Sequence, residues 1–284
     1  MKKVAVTGGS GIVGKWVLKE FIDYGYEVVN IDQKRPEQIN CRTIITDLTN
    51  LGEVYGAIKG ADAVVHLASI NAPGGFPNEV VFQNNVISTY NVLEACSGMG
   101  IQKVTVASSE SIYGFCWAEH RFSPDYFPVT EEHPLLPQEC YGLSKIAAEE
   151  TAKMFQRKDG SQIVCLRFGH VAVPPAGYAM LLNPDNKERE RFLWSYVDVR
   201  DAASACRLAV EAENLEFAAM NITADETCMK ETSNELIRRY YPSVSDLRVD
   251  FSGNQALSSN RKAKKLLKWK PVYSWENQAA EREI

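Results

Sequence analysis

Residues 3–14 read Lys-Val-Ala-Val-Thr-Gly-Gly-Ser-Gly-Ile-Val-Gly. The short apolar run at 3–6 is strand-like, and it ends in a glycine-rich turn. Beyond the turn, Val17, Leu18, Phe21 and Ile22 recur at helical spacing, which predicts a helix over 14–24 with those four on its buried face. This strand, turn and helix give Gly8, Gly11 and Gly14 their meaning. The first glycine allows the tight turn, the second lets the backbone approach a pyrophosphate, and the third lets helix and strand pack closely. The helix start then offers free N–H groups and a partial positive charge to the phosphates.

The same alternation repeats outward from this segment. Apolar runs at 27–31, 43–45, 63–67 and 103–107 predict strands, with helical patterns at 54–59 and 80–97 between them. Such strands are buried on both faces, so the expected fold class is α/β, a doubly wound parallel sheet of the Rossmann type. Asp32 ends the second strand 18 residues after Gly14. A carboxylate there accepts hydrogen bonds from the adenosine ribose and repels a 2′-phosphate, which favours NAD over NADP. Lys34 and Arg35 weigh the other way. Asp47-Leu48 is placed to contact the adenine, and His66-Leu67-Ala68 ends the fourth strand where the phosphates would pass. For His66 itself, a core histidine is at least as good a reading.

Past Ser111 the texture changes. Residues 114–140 are rich in proline and aromatics and too long for a simple connection, which predicts a functional loop over a site, its aromatic-rich part 114–128 closing over a cleft lined by Tyr113, Phe168, His170 and Tyr196. A helix over 141–156 and a strand over 163–168 follow, then an irregular, charged stretch at 172–195 and a basic helix at 261–268. The expected division is a cofactor-binding domain, 1–168, and a small C-terminal α/β substrate lobe, 169–284, with about 196–222 returning to the first.

Composition narrows the function classes. The 284 residues carry a formal net charge of -5, with no global pull toward nucleic acid or anionic membrane. No apolar run approaches the ~18 residues of a membrane span, and the opening Met-Lys-Lys is followed by no signal-type apolar segment, so a cytoplasmic protein is expected. The seven cysteines show neither CxxC spacing nor a Cys-His cluster, which reads as reduced thiols and no metal site; Cys140, beside Tyr141, is a candidate for alkylation. The basic helix, and Lys187, Arg189 and Arg191, read as solvated surface.

Residues 141–145 read Tyr-Gly-Leu-Ser-Lys, which puts Tyr141 and Lys145 on one helical face. A free phenol has a pKa of about 10. An adjacent ammonium and the positive nicotinamide of NAD would lower it toward the working range of a general base. Ser109 ends the fifth strand, where a doubly wound sheet holds its ligands, and is placed to hydrogen-bond the reacting oxygen.

Together with Thr7 to Gly14, Asp32, Asp47-Leu48, residues 66–68, Asn85-Val86, 109–114, 166–168 and 263–271, these pieces follow one family's order. The chain resembles extended short-chain dehydrogenase/reductases of the NAD-dependent epimerase/dehydratase family. The resemblance implies NAD as cofactor and Ser109, Tyr141 and Lys145 as the catalytic set. It implies a cofactor site of Gly8, Gly11, Ile12, Val13, Gly14, Asp32, Asp47, Leu48, Leu67, Ala68, Ser69, Asn85, Ala107, Tyr141, Lys145 and Phe168. Substrate contacts would come from Ser109, Glu110, Ser111 and His170. It further implies a homodimer through the helices containing 80–97 and 141–156.

About two dozen residues separate Phe168 from Trp194, little room for the lobe that holds a nucleotide diphosphate in the family's nucleotide-sugar enzymes. The family's dehydratases place an acidic pair after the Ser/Thr; here Glu110 is followed by Ser111, which disfavours water elimination. The expected reaction is hydride transfer from a hydroxyl-bearing carbon of a small sugar or sugar acid, as in uronate and aldose dehydrogenases. The alternative is a sugar or nucleotide-sugar 4-epimerase; a third reading is a catalytically silent NAD-binding regulator.

Overall fold

The computed structural model describes residues 2–181, 183 and 187–280. Its main sheet contains β1 (Lys3–Thr7), β2 (Glu27–Asp32), β3 (Arg42–Ile45), β4 (Ala63–His66), β5 (Lys103–Ser109) and β6 (Gln162–Phe168). A two-stranded pair, β7 (Val171–Ala172) and β8 (Val197–Asp198), precedes the last strand of the main sheet, β9 (Phe217–Ile222). The order is β3-β2-β1-β4-β5-β6-β9, with every pairing parallel. Strand order reverses between β1 and β4, where Thr7 stands in register with His66. At such a switch point the strand ends open a crevice that binds ligands.

The helices are α1 (Ile12–Asp23), α2 (Leu51–Ile58), α3 (Asn78–Gly98), α4 (Cys140–Asp159), α5 (Ala176–Leu181), α6 (Val199–Glu211), α7 (Ser233–Tyr240), α8 (Arg261–Leu267) and α9 (Trp275–Ala280). The pleat sends Val4 and Val6 to one face of the sheet and Ala5 to the other. On the first face they meet Val17, Leu18 and Phe21 of α1, Ala202 and Cys206 of α6, and Trp269 after α8. On the second face Ala5 lies in one cluster with Val54 of α2, Val92 of α3 and Phe155 of α4. Ile22 departs from the expected face and is 39% exposed. Its helical angle places it at the edge of the stripe set by positions 17, 18 and 21.

A third cluster joins Ile112, Phe115 and Phe127 to Tyr178, Trp194, Leu236 and Trp275. Phe115, Phe122, Phe127 and Val129 of the 114–140 segment therefore belong to a packed wall, contrary to the closing loop expected for 114–128. Phe127 and Val129 exchange backbone hydrogen bonds with the 246–259 segment, at 2.8–3.0 Å. The aromatic residues that suggested a lid are what bury it.

Candidate active site

The glycine turn leaves no room for side chains. Gly8 sits at φ +72°, and a Cβ there would lie 2.6 Å from the Ala68 nitrogen at the end of β4. A Cβ on Gly14 would run into the backbone of Gly8 and Gly9. Gly11 caps α1 without any side-chain hydrogen bond, so the first N–H groups of α1 lack a side-chain acceptor. Above this turn lies a cavity of about 430 Å³ lined by Gly8, Gly11, Ile12, Val13, Gly14, Asp32, Asp47, Leu48, Leu67, Ala68 and Ser69. Asp32 is fixed at its rim: Oδ2 accepts from the Ser10 N–H at 2.9 Å and Oδ1 from the Gln33 N–H at 2.7 Å. Each oxygen keeps acceptor capacity for a ribose hydroxyl.

Of the residues expected around the cofactor, Asn85, Ala107, Tyr141, Lys145 and Phe168 do not line this cavity. Asn84 and Ser88 of α3 do, together with Lys34, Ile70 and Asn71. The helical pattern of α3 gave no phase precise enough to place Asn84 and Ser88. Asn85 stands just behind the wall. Its Oδ1 accepts from the Ile70 N–H at 2.8 Å, and its Nδ2 donates to the Ile70 carbonyl at 3.0 Å and to Ser144 Oγ at 3.2 Å. Phe168 is part of the sheet core.

His66 is a buried core histidine. The Ala68 N–H donates to Thr7 Oγ1, Thr7 pairs with His66 Nδ1 at 2.7 Å, His66 Nε2 with Thr89 Oγ1 at 3.1 Å, and Thr89 donates to the Asn85 carbonyl at 2.8 Å. These directions leave Nδ1 as acceptor and Nε2 as donor. Burial, helped by the nearby Lys145 charge, pushes His66 down to about 3, so it stays neutral.

The three expected catalytic side chains converge at the end of β5. Glu139 caps α4 by accepting from the Tyr141 and Gly142 N–H groups at 2.5 and 2.6 Å. Glycine is required at 142, since a Cβ would lie 2.8 Å from the Ser111 carbonyl. Ser109 stands close enough to the Tyr141 phenol to influence it, and its Oγ accepts from the Ser111 N–H and donates to Ser111 Oγ, both at 3.1 Å. Lys145 Nζ donates to the Ala107 carbonyl at 3.0 Å and lies 5.4 Å from the centre of the Tyr141 ring. Burial pushes Tyr141 up to about 12, against the influence of Ser109, and pushes Lys145 down to about 8. Of the two effects expected to lower the phenol, the Lys145 ammonium by itself is outweighed: in the protein's own field desolvation wins.

One turn further along α4, Glu149 binds Arg167 of β6 with both carboxylate oxygens, at 2.9 and 2.7 Å, and accepts from Ser108 Oγ at 2.7 Å. Arg167 continues to Tyr113 Oη at 3.0 Å, and Tyr113 donates to Asn221 at 2.6 Å. Tyr113 therefore faces this internal network, and Tyr196 is tied to Glu226 at 2.8 Å; neither lines a cleft.

A second cavity, of about 400 Å³, is walled by Trp117, Met180, Leu181, Phe192 and Trp194, with Cys116, His170, Ser195, Cys228, Arg189 and Arg191 completing it. Arg189 is buried, donating to the Leu181 and Asn183 carbonyls, so its expected solvated position is corrected: backbone acceptors satisfy the guanidinium. The side chain of Lys187 lies outside the described residues. Glu110 meets Ser195 at this wall. Burial pushes its carboxyl up to about 8, opposed by hydrogen bonds with Ser195 and from the His170 N–H. Thr223 donates to the Tyr196 carbonyl at 3.0 Å and pairs with Ser195 Oγ at 2.8 Å. Among the described residues no cluster of His, Cys, Asp or Glu could hold a metal, and no helix is long and apolar enough to cross a membrane.

This set of parts is shared. Residues 4–223 match the NAD-dependent epimerase/dehydratase family. The chain belongs to that family. Among curated relatives, the "Putative UDP-glucose 4-epimerase" of Methanocaldococcus jannaschii is 32% identical over 178 residues, covering 59% of this chain and 55% of that protein. The chain spans about half the length of the first curated relatives it matches. The uronate dehydrogenase of Agrobacterium fabrum is 30% identical over 189 residues, 64% of this chain and 66% of that protein. A short-chain dehydrogenase/reductase superfamily protein from Agrobacterium tumefaciens, solved with bound NAD, superimposes with a TM-score of 0.75 at 23% identity over 98% of this chain and 95% of that one, which shows the fold. The glycine cradle, the uncapped start of α1 and the Asp32 carboxylate fit the family's cofactor, NAD.

Proposed function

We propose that this epimerase/dehydratase-family chain is an NAD-dependent oxidoreductase acting at a hydroxyl-bearing carbon of a small sugar or sugar acid. The convergence of Ser109, Tyr141 and Lys145 at the end of β5 carries this reading. When bound, NAD supplies a nicotinamide ring that takes or returns a hydride. Gly8, Gly11, Gly14 and the start of α1 hold its phosphates, and Asp32 its adenosine ribose. Ser109 and Tyr141 grip the substrate oxygen, and Tyr141 takes the hydroxyl proton while the Lys145 ammonium favours the phenolate. Glu110, as a neutral acid, donates a hydrogen bond to the substrate, with Ser111 and His170 beside it.

The substrate-side cavity of about 400 Å³ lies at the low end of ligand pockets. Its size supports a small substrate over a nucleotide-sugar. Residues 1–168 with about 196–222 form the cofactor unit, and the rest of 169–284 the substrate lobe. Val80, Ile87, Tyr90 and Leu143 stand exposed on α3 and α4, and we assign that surface to a homodimer.

The second reading is a 4-epimerase, favoured by the 32% identity to the M. jannaschii protein. Incubation with NAD and a panel of uronates, aldoses and UDP-sugars separates the two. NADH accumulating with a uronate or aldose supports the proposal. Inversion without NADH supports the epimerase, and silence across the panel removes both.

A further inference from the structure

Tyr141, Lys145 and Glu149 succeed one another along one face of α4, and three consecutive residues of β5 receive them. Tyr141 meets Ser109, Lys145 meets the Ala107 carbonyl, and Glu149 meets Ser108 Oγ. The first two contacts belong to the proposed catalytic set; the third does not. Glu149 and Arg167 are 2% and 5% exposed, so their pair lies in a low-dielectric interior where charge acts over longer range.

We propose that Glu149 is a positioning residue for the catalytic set: it locks the end of β5 against α4 through Ser108 and lends its negative charge to Lys145 one helical turn away. The inference rests on the functional reading above only where it concerns turnover. Lys145 is faced by Tyr141 and Glu149 on its own helix, by Cys165 on β6 and by His66 on β4. Glu149 is faced by Arg167 and Cys165 on β6, by Ser108 on β5 and by Lys145. His66 is neutral, and burial holds Cys165 and Tyr141 protonated. Among the described groups facing Lys145, Glu149 is therefore the anion that offsets its burial. Arg167 aims the carboxylate, since both oxygens are engaged.

Glu149→Gln removes the charge but keeps the shape and one acceptor oxygen for Arg167, whereas truncation would leave the guanidinium with neither. Lys145 is followed by NMR in full-length protein carrying ¹³Cε-lysine, its signal assigned with Lys145→Arg. Losing a nearby opposite charge lowers a lysine's titration midpoint by about one unit or more. That shift is expected in Glu149→Gln, and an unmoved midpoint overturns the proposal whether or not a substrate is known. With a turned-over substrate, kcat should fall about fivefold or more at pH 8 and much less at pH 6.5, with KM little changed. Equal loss at both pH values means a merely structural role and also overturns it. Ser108→Ala tests the lock separately: kcat should drop a few-fold with the Lys145 midpoint unmoved, and an unchanged kcat removes that half of the claim. If Glu149→Gln does not fold, Glu149→Leu with Arg167→Leu leaves no stranded charge; it also removes the more distant Arg167 cation, so a smaller fall of the Lys145 midpoint is expected, and an unmoved or raised midpoint overturns the proposal.

Discussion

The glycine-turn end and the aromatic-walled end of this molecule are built from different materials. Around the 430 Å³ cavity the decisive features are backbone: glycines that exclude side chains and an uncapped helix start. Around the 400 Å³ cavity they are side chains brought from the 116–117, 170, 180–195 and 228 segments. A backbone device depends on a few adjacent residues, so it is rigid and local. A side-chain device depends on packing among distant segments, so each member can change the site by itself.

The largest test of this contrast is Tyr141→Phe. It should cost roughly 10²–10⁴ in turnover while NAD affinity, measured by calorimetry, stays put, because the cofactor cavity is lined without Tyr141. Turnover that survives would dissolve the catalytic assignment; a wild type that binds NAD and turns over nothing would revive the silent regulator. Gly14→Ala should act on the other end. Its Cβ meets the Gly8 and Gly9 backbone, so overpacking of about 1–3 kcal/mol is expected, read by denaturant titration together with at least tenfold weaker NAD binding. Asp32→Ala sharpens the same end: a lost charge-assisted hydrogen bond is about 1.5–3 kcal/mol, so the NAD over NADP preference should shrink roughly tenfold, and unchanged selectivity would remove Asp32 from the ribose site.

The smallest effect belongs to Glu110→Gln and depends on pH. The Glu110 carboxyl is raised from 4.5 to about 8 by burial. Below 4.5 both folded and unfolded chains hold the proton and the residue costs nothing. Between 4.5 and about 8 the unfolded chain ionises while the folded one does not, so stability falls as pH rises, and the cost is fully developed above about 8. Thermal melts should show Glu110→Gln gaining on wild type as pH rises from 4.5 to 8, and level above. A gain independent of pH would mean that Glu110 is ionised throughout.

The same contrast explains how far the sequence could be read. Residues 3–14, Asp32 and the β–α alternation carry short-range periodicity, and they foretold the sheet and most of the first cavity's lining. Asn85 was placed one helical step from the cavity wall that Asn84 and Ser88 form, since periodicity sets a helix's presence before its phase. Arg189, Glu149 and the 114–140 wall were read wrongly or not at all. Their positions follow from contacts tens of residues away, such as Phe127 with the 246–248 backbone. The field at Tyr141 was likewise unreadable, because desolvation is a property of the packed site.

Asn85 bridges the two ends of the molecule. Both backbone polar groups of Ile70, a wall of the first cavity, terminate on its amide, which also reaches Ser144, and Ser144 donates to the Tyr141 carbonyl at 2.7 Å. A ligand that displaces Ile70 and one that displaces Tyr141 thus load the same amide. Thermodynamics makes such a linkage reciprocal: each ligand must alter the other's affinity by one common factor. Binding isotherms taken singly and together would reveal that factor, and it should vanish in Asn85→Ala.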